Sequence, residues 1–201
     1  MPTEIPGRPY QKVGSDLFEI KGQFFIVIID YYSKNIDIER LTNPSTNSVI
    51  KALKRCFSTH GVPLTLVPDN ELSNFGTDWN FCHITSSPRF PQSNGPAESA
   101  VKIAKRIMKQ SDPLLALMVY RSTPVASIGV SSSELALGRK IRTTLPMLPS
   151  KLEPRTKDQT EIKQLISDHQ QTVKKNFDQS HGARHLLELQ SNLSETITED
   201  K

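Results

Sequence analysis

The sequence predicts an α/β fold, a mixed five-stranded sheet with flanking helices followed by a C-terminal helical extension. Three observations carry this expectation. Strand-like stretches crowd the chain before residue 42, an amphipathic helical stretch then precedes another short apolar one, and helical periodicity dominates from residue 96 onward. Strands on both sides of a helical crossover require parallel as well as antiparallel pairs, hence a mixed sheet.

Lys12–Ile20 and residues 24–32 flank Lys21-Gly22-Gln23 and read as a hairpin. Residues 24–29 run without a polar interruption, the pattern of a strand covered on both faces and central in its sheet. In Ile36–Leu41, Ile36 and Ile38 alternate with Asp37 and Glu39, which predicts a third strand with one wet face. Asp30, Asp37 and Glu39 are expected as solvated edge residues. Thr46, Asn47 and Ser48 offer capping oxygens to a helix in which Val49, Leu53, Cys56 and Phe57 share a face opposite Lys51, Lys54 and Arg55. Gly61 and Pro63 end it. Residues 64–67 form a short apolar strand, 81–86 a fifth strand, and 88–95, with two prolines and a glycine, a loop. Helices follow at 96–110, 112–120 and 131–138. A long one at 156–177 carries Ile162, Leu165, Ile166, Val173 and Phe177 on one stripe, suited to docking on a partner or on the domain.

With 201 residues, 36% hydrophobic and 23% charged, the chain has room for one ordinary core and an accessory segment. The expected division is a leader at 1–10, a core at 11–150, a helical extension at 151–190 and a disordered polar tail at 191–201. The longest apolar run, residues 24–29, is far below the ~20 residues of a membrane span. The opening Met1-Pro2-Thr3-Glu4 lacks a secretory pattern, so a reducing intracellular setting, nucleus or cytoplasm, is expected. Cys56 and Cys82 are too few for a disulfide framework and are expected as buried thiols. The net charge of +4 mildly favours a polyanionic partner. It is uneven: 17 Lys/Arg face 12 Asp/Glu in residues 1–150, against 8 and 9 in 151–201.

At 100° per residue, Lys102, Lys105, Arg106 and Lys109 fall on one side of the 96–110 helix, and Ala100, Ile103, Ala104 and Ile107 on the other. Glu98 leads the basic face from the first turn. A solvated helix with an i,i+4 Glu–Lys pair is the plainer account of that face alone. Asp16 in the first strand and Asp69 after the fourth can converge beside the helix start, and three carboxylates on separate elements suit a pair of hard divalent cations acting on a phosphodiester. By spacing alone, unrelated aspartates at strand ends remain the more economical explanation. Cys56 and His60 lie at i,i+4, as do His181 and His185, but neither pair has two further ligands nearby in sequence, so core or surface roles are expected. Cys82 and His83 would point to opposite faces of a strand. Motifs for nucleotide hydrolysis or serine chemistry are absent.

The runs Val13-Gly14-Ser15-Asp16-Leu17-Phe18, Val67-Pro68-Asp69-Asn70, Thr85-Ser86-Ser87-Pro88 and Phe90-Pro91-Gln92-Ser93-Asn94-Gly95-Pro96-Ala97-Glu98 closely resemble the integrase catalytic core of Ty3/gypsy-type retrotransposons, a relative of retroviral integrase. Tyr120-Arg121-Ser122-Thr123-Pro124 and Glu134-Leu135-Ala136-Leu137-Gly138-Arg139 extend the likeness, which covers residues 8–190. It implies a ribonuclease-H-like fold and a catalytic triad of Asp16, Asp69 and Glu98 holding two Mg²⁺ or Mn²⁺ ions. The implied reaction is DNA 3′-end processing and strand transfer. It implies DNA as partner, gripped by Lys102 and Lys105 with Arg106 and Lys109 on the same face, and contacted by Gln92, Ser93 and Asn94 in a loop beside the site. Self-association into a homo-oligomer is expected, and no membrane or small-molecule substrate. The family's amino-terminal zinc module has no counterpart before the core, so no zinc is expected. The interval from Asp69 to Glu98 is shorter than the family's, by most of a helix, and Glu71 stands where the family has glycine. That departure keeps a second reading open, a non-catalytic DNA-binding or assembly protein that retains the fold.

Overall fold

A computed structural model describes residues 5–68, 72–84, 95–125, 128–154 and 159–180; within the last stretch, the side chains of 159, 169, 170, 173 and 177–180 are outside the description. The five strands are β1 (Lys12–Ile20), β2 (Gln23–Asp30), β3 (Ile36–Leu41), β4 (Thr65–Pro68) and β5 (Cys82–His83), in the order β3-β2-β1-β4-β5. β1–β2 and β2–β3 pair antiparallel, and β1–β4 and β4–β5 pair parallel. The meander and the mixed sheet are as the sequence predicts.

The crossover from β3 to β4 is α1 (Thr46–His60). Its amino end is closed by Ser45, whose side chain accepts the Ser48 N–H, and its carboxy end by Gly61 at φ 89°, whose N–H reaches the Phe57 carbonyl at 2.8 Å. Between β4 and β5 lies α2 (Ser73–Asp78), and after β5 come α3 (Gly95–Met108), α4 (Pro113–Ser122), α5 (Ser132–Leu137) and α6 (Gln159–Ser180).

Strand alternation sorts the core into two layers. On β2, Ile26 and Ile28 pack with Val49, Ala52, Leu53, Cys56 and Phe57 of α1. Phe25, Val27 and Ile29 pack on the opposite face with Ala97, Ala100, Ala104 and Ile107 of α3. β2, interior to the sheet beside the central β1, is thus buried on both sides, which is why its sequence is apolar without interruption. A third cluster joins Tyr32, Ile128, Val130 and Leu135 to Ile162 and Ile166, so α6 docks on the domain. Val173 and Phe177 of its stripe lie outside the described side chains.

Several expectations change. β5 is two residues long where 81–86 is expected, with 85 and 86 outside the described residues. The shortened interval still contains a helix, α2: Phe75, Trp79 and Phe81 pack on Phe57 with ring centroids 5.7–6.1 Å away, and Phe75 meets Trp79 and Phe81 at 5.4 and 5.2 Å. These rings cover the α1 side of the sheet with few residues, since each aromatic buries a large area. Cys82 is exposed, whereas Cys56 is buried as expected. Asp30 is no solvated edge residue but fully buried: its carboxylate accepts the Tyr32 N–H at 3.2 Å and, at 2.9 and 2.6 Å, the Ser33 N–H and hydroxyl, closing the turn between β2 and β3. Asp37 and Glu39 are half-buried and paired with α1 and α4.

Candidate functional site

Asp16 lies on the face of β1 that looks toward α3. Its neighbour at i+2, Phe18, packs with Ala97 and Ala100, while Val13, on the other face, packs with α1. Gly14 belongs to the Asp16 face and admits Tyr31: a Cβ there would stand 2.7 Å from the ring. Glycine is therefore required by close approach, two residues from Asp16. Asp16 is half-buried, and its Oδ1 accepts the Leu17 N–H at 2.7 Å. In the parallel pairing, Ser15 stands opposite Pro68. That register ends one residue before Asp16 on one strand and one before Asp69 in sequence.

Glu98 is exposed in the first turn of α3. Because Ala97, Ala100 and Ala104 are fully buried against β1 and β2, the helix lies close on the Asp16 face and delivers its start to that side of the sheet. Lys102, Lys105 and Arg106 are exposed along the opposite side of α3, and exposed Lys109 follows its last residue. The division into basic and apolar faces is as read from the sequence. Asp69, Glu71, Gln92, Ser93 and Asn94 lie outside the described residues. Of the three expected carboxylates the structure describes Asp16 and Glu98, and oxygen donors of this kind suit a hard divalent cation such as Mg²⁺ or Mn²⁺.

A second polar cluster was not legible in the sequence. Asp37 of β3 meets Cys56 and His60 of α1, and their ligand atoms all lie within 4.8 Å of one another. Arg121 of α4 donates to Asp37 Oδ1 and, at 2.7 Å, to the Ile36 carbonyl, so the Tyr120-Arg121 motif ties α4 to the edge strand. Burial pushes the Asp37 carboxyl up, but the hydrogen bond from His60 and the charges of Arg121 and His60 outweigh it and hold the group below its ordinary value. Burial, and then the Asp37 charge, push the Cys56 thiol up. His83, whose neighbour Cys82 faces solvent, accepts the Leu72 N–H through Nε2 at 3.2 Å and so holds the start of α2.

No protein-family model matches the chain. An uncharacterized protein of Caenorhabditis elegans, K02A2.6, is 27% identical over 201 residues, spanning 91% of this chain but 15% of the length of that relative. Among solved structures, a chain of the simian T-cell lymphotropic virus intasome in complex with PP2A regulatory subunit B56 gamma superposes with a TM-score of 0.58 at 17% identity, over 77% of this chain and 62% of that one. The HTLV-2 integrase catalytic core domain in complex with magnesium, in a trimeric form, gives 0.53 at 16% identity, over 64% of this chain and 97% of that one. The BIV integrase catalytic core domain gives 0.53 at 17%, over 64% and 94%. The chain therefore resembles retroviral integrase cores and has their ribonuclease-H-like fold. Among the described residues, no helix is long and apolar enough to cross a membrane.

Proposed function

We propose that this chain is an integrase-type core that binds DNA and carries out metal-dependent phosphodiester chemistry at Asp16, Asp69 and Glu98. The observation that carries the reading is the shared face: strand alternation turns Asp16 toward α3, whose first turn holds Glu98, while β1 and β4 pair in parallel up to Ser15 and Pro68. Two bound divalent ions would supply charge neutralisation for the attacking and leaving oxygens of the phosphodiester. The protein's own part is to fix the carboxylates: Asp16 on a central strand locked by the Leu17 N–H, and Glu98 on a helix seated by an alanine seam.

The exposed cations Lys102, Lys105, Arg106 and Lys109 leave the Glu98 turn in line along α3, where they would neutralise the phosphates of a DNA end entering the site. Gln92, Ser93 and Asn94, immediately before α3 in sequence, are assigned to sugar and base contacts in the same reading. On this reading residues 11–150 are the catalytic core and 151–190 an extension, of which the described helix α6 braces the core through Ile162 and Ile166. Exposed Leu114 and Val119 on α4 support self-association, and in the same reading the protein works on DNA inside the cell, in the nucleus or the cytoplasm.

Incubation of the chain with blunt DNA ends, a target duplex and Mn²⁺, beside Asp16→Asn, tests the proposal. Trimmed or joined products that vanish in the variant are expected. Tight DNA binding with no products would overturn the catalytic reading in favour of a DNA-binding or assembly protein that keeps the fold.

A further inference from the structure

We propose that Asp37, Cys56 and His60 form a binding site for one zinc-class divalent cation, separate from the carboxylates on the α3 side of the sheet. Cys56 and His60 stand at i and i+4 on α1 and project from the same face one turn apart. β3 supplies the third ligand from a neighbouring element, so a sequence search for close spacing misses it. Asp37 Oδ2 lies 3.2 Å from His60 Nε2 and 3.7 Å from Cys56 Sγ. A tetrahedral ion with a bond of ~2.3 Å to sulfur and ~2.0–2.1 Å to nitrogen or oxygen keeps its ligand atoms about 3.3–3.5 Å apart. The two separations already match such edges to within a few tenths of an ångström. Sulfur, nitrogen and oxygen together suit a borderline ion such as Zn²⁺ and not the hard ions expected at the all-carboxylate site.

The surrounding groups orient the ligands as supports around metal sites do. Arg121 bonds Oδ1, the other oxygen of Asp37, and is anchored by the Ile36 carbonyl, so the carboxylate is fixed with Oδ2 toward Cys56 and His60. The Tyr10 ring stacks on the His60 ring at 3.8 Å between centroids and 6° between planes, setting the imidazole. The Tyr10 hydroxyl is itself held by Asn35 Nδ2 at 2.7 Å. Cys56 is buried, whereas the His60 and Asp37 side chains are 15% and 21% exposed, so the cluster is open to solvent on their side; in the proposed site water takes the fourth position. On binding, two protons now directed at Asp37 leave to solvent: the Cys56 thiol proton, replaced by a sulfur–metal bond, and the proton on His60 Nε2, whose lone pair then takes the ion while the neutral imidazole keeps its one proton on Nδ1. The inference reverses the expectation that this chain has no use for zinc.

Titration of the chelator-stripped full chain with Co²⁺ tests the site, because a tetrahedral Co²⁺–thiolate centre has ligand-field absorption and a sulfur charge-transfer band that an oxygen-only site lacks. One equivalent of Co²⁺ should develop both, and one equivalent of Zn²⁺ should abolish them. Cys56→Ala should lose the charge-transfer band, and His60→Gln should weaken the Co²⁺ binding that this band reports at least tenfold; Cys82→Ala should match wild type, and Asp16→Asn/Glu98→Gln should keep the sulfur charge-transfer band whatever it does to other Co²⁺ binding. If Cys56→Ala fails to fold, the His60→Gln titration decides. No charge-transfer band at saturating Co²⁺, or a band that survives Cys56→Ala or disappears with Cys82→Ala, would overturn the assignment.

Discussion

The two faces of the sheet are built from different materials. Under α1 and α2 the cover is aromatic, with Phe57 and Phe75 each in contact with both Trp79 and Phe81. Under α3 it is a seam of fully buried alanines, 97, 100 and 104, laid on Phe18, Phe25 and Val27. Large rings supply buried area where the chain between Asp69 and α3 is short. Small side chains instead bring helix and sheet backbones together, which is how two carboxylates from distant parts of the sequence reach one side of the sheet. The contrast gives the α1 face mainly to stability and leaves the α3 face for the proposed DNA chemistry.

Phe75→Ala should have the largest effect of the substitutions that probe this contrast. Truncating a buried aromatic costs about 3–5 kcal/mol, read from denaturant unfolding, while DNA affinity of the folded protein stays at the wild-type value. A parallel loss of DNA affinity would merge the two faces into one function.

Ala100→Leu overpacks the seam. A loss of about 1–3 kcal/mol is expected together with weaker Mn²⁺-induced stabilisation, because α3 must shift from the sheet and carry Glu98 with it. If the stability falls but the Mn²⁺ response is intact, the position of Glu98 does not depend on the seam.

Lys102→Ala/Lys105→Ala leaves folding alone and acts on DNA. Affinity should drop roughly tenfold, and the slope of log K against log salt should become shallower by about 1.8 if each lysine neutralises one phosphate. Unchanged affinity and slope would reduce the basic face to a solvated surface.

The smallest effect concerns Asp30. Burial raises its carboxyl above the ordinary 3.8 despite the hydrogen bonds from Ser33 and Tyr32. A raised folded value means that the stability linked to its proton is present below the unfolded value and is lost as pH rises through the folded one. The stability advantage of wild type over Asp30→Asn should therefore shrink from acid toward neutral pH in denaturant titrations; an advantage that grows with pH would mean that the hydrogen bonds outweigh burial.

Much of the α3 face was legible because its signals are local. The run at 24–29, the alternation of Ile36 and Ile38, and the wheel separating Lys102 and Lys105 from Ala100 and Ala104 each sit within one element. What escaped depends on partners far apart in sequence. Asp37 and Glu39 read as a wet strand face, yet that face turns toward α1, where His60, Cys56 and Arg55 meet it, and Arg121 arrives from α4. Asp30 read as an edge residue because a turn that folds onto its own carboxylate has no periodicity. Helix α2 lay in an interval judged by its length, while its stabilisation comes from ring contacts with Phe57 of another helix.

The central claim is that the carboxylates on the α3 side form a centre for hard divalent ions, distinct from the cluster beside α1. In the proposed centre Asp16, Asp69 and Glu98 would repel one another without a cation, and an ion that binds only the folded protein raises its stability. The direct measurement is thermal unfolding with and without Mn²⁺ in wild type, Asp16→Asn/Asp69→Asn and Cys56→Ala. The account predicts a higher midpoint with Mn²⁺ in wild type and in Cys56→Ala, and none in the double variant. An unchanged midpoint in wild type, or an equal rise in Asp16→Asn/Asp69→Asn, would contradict it.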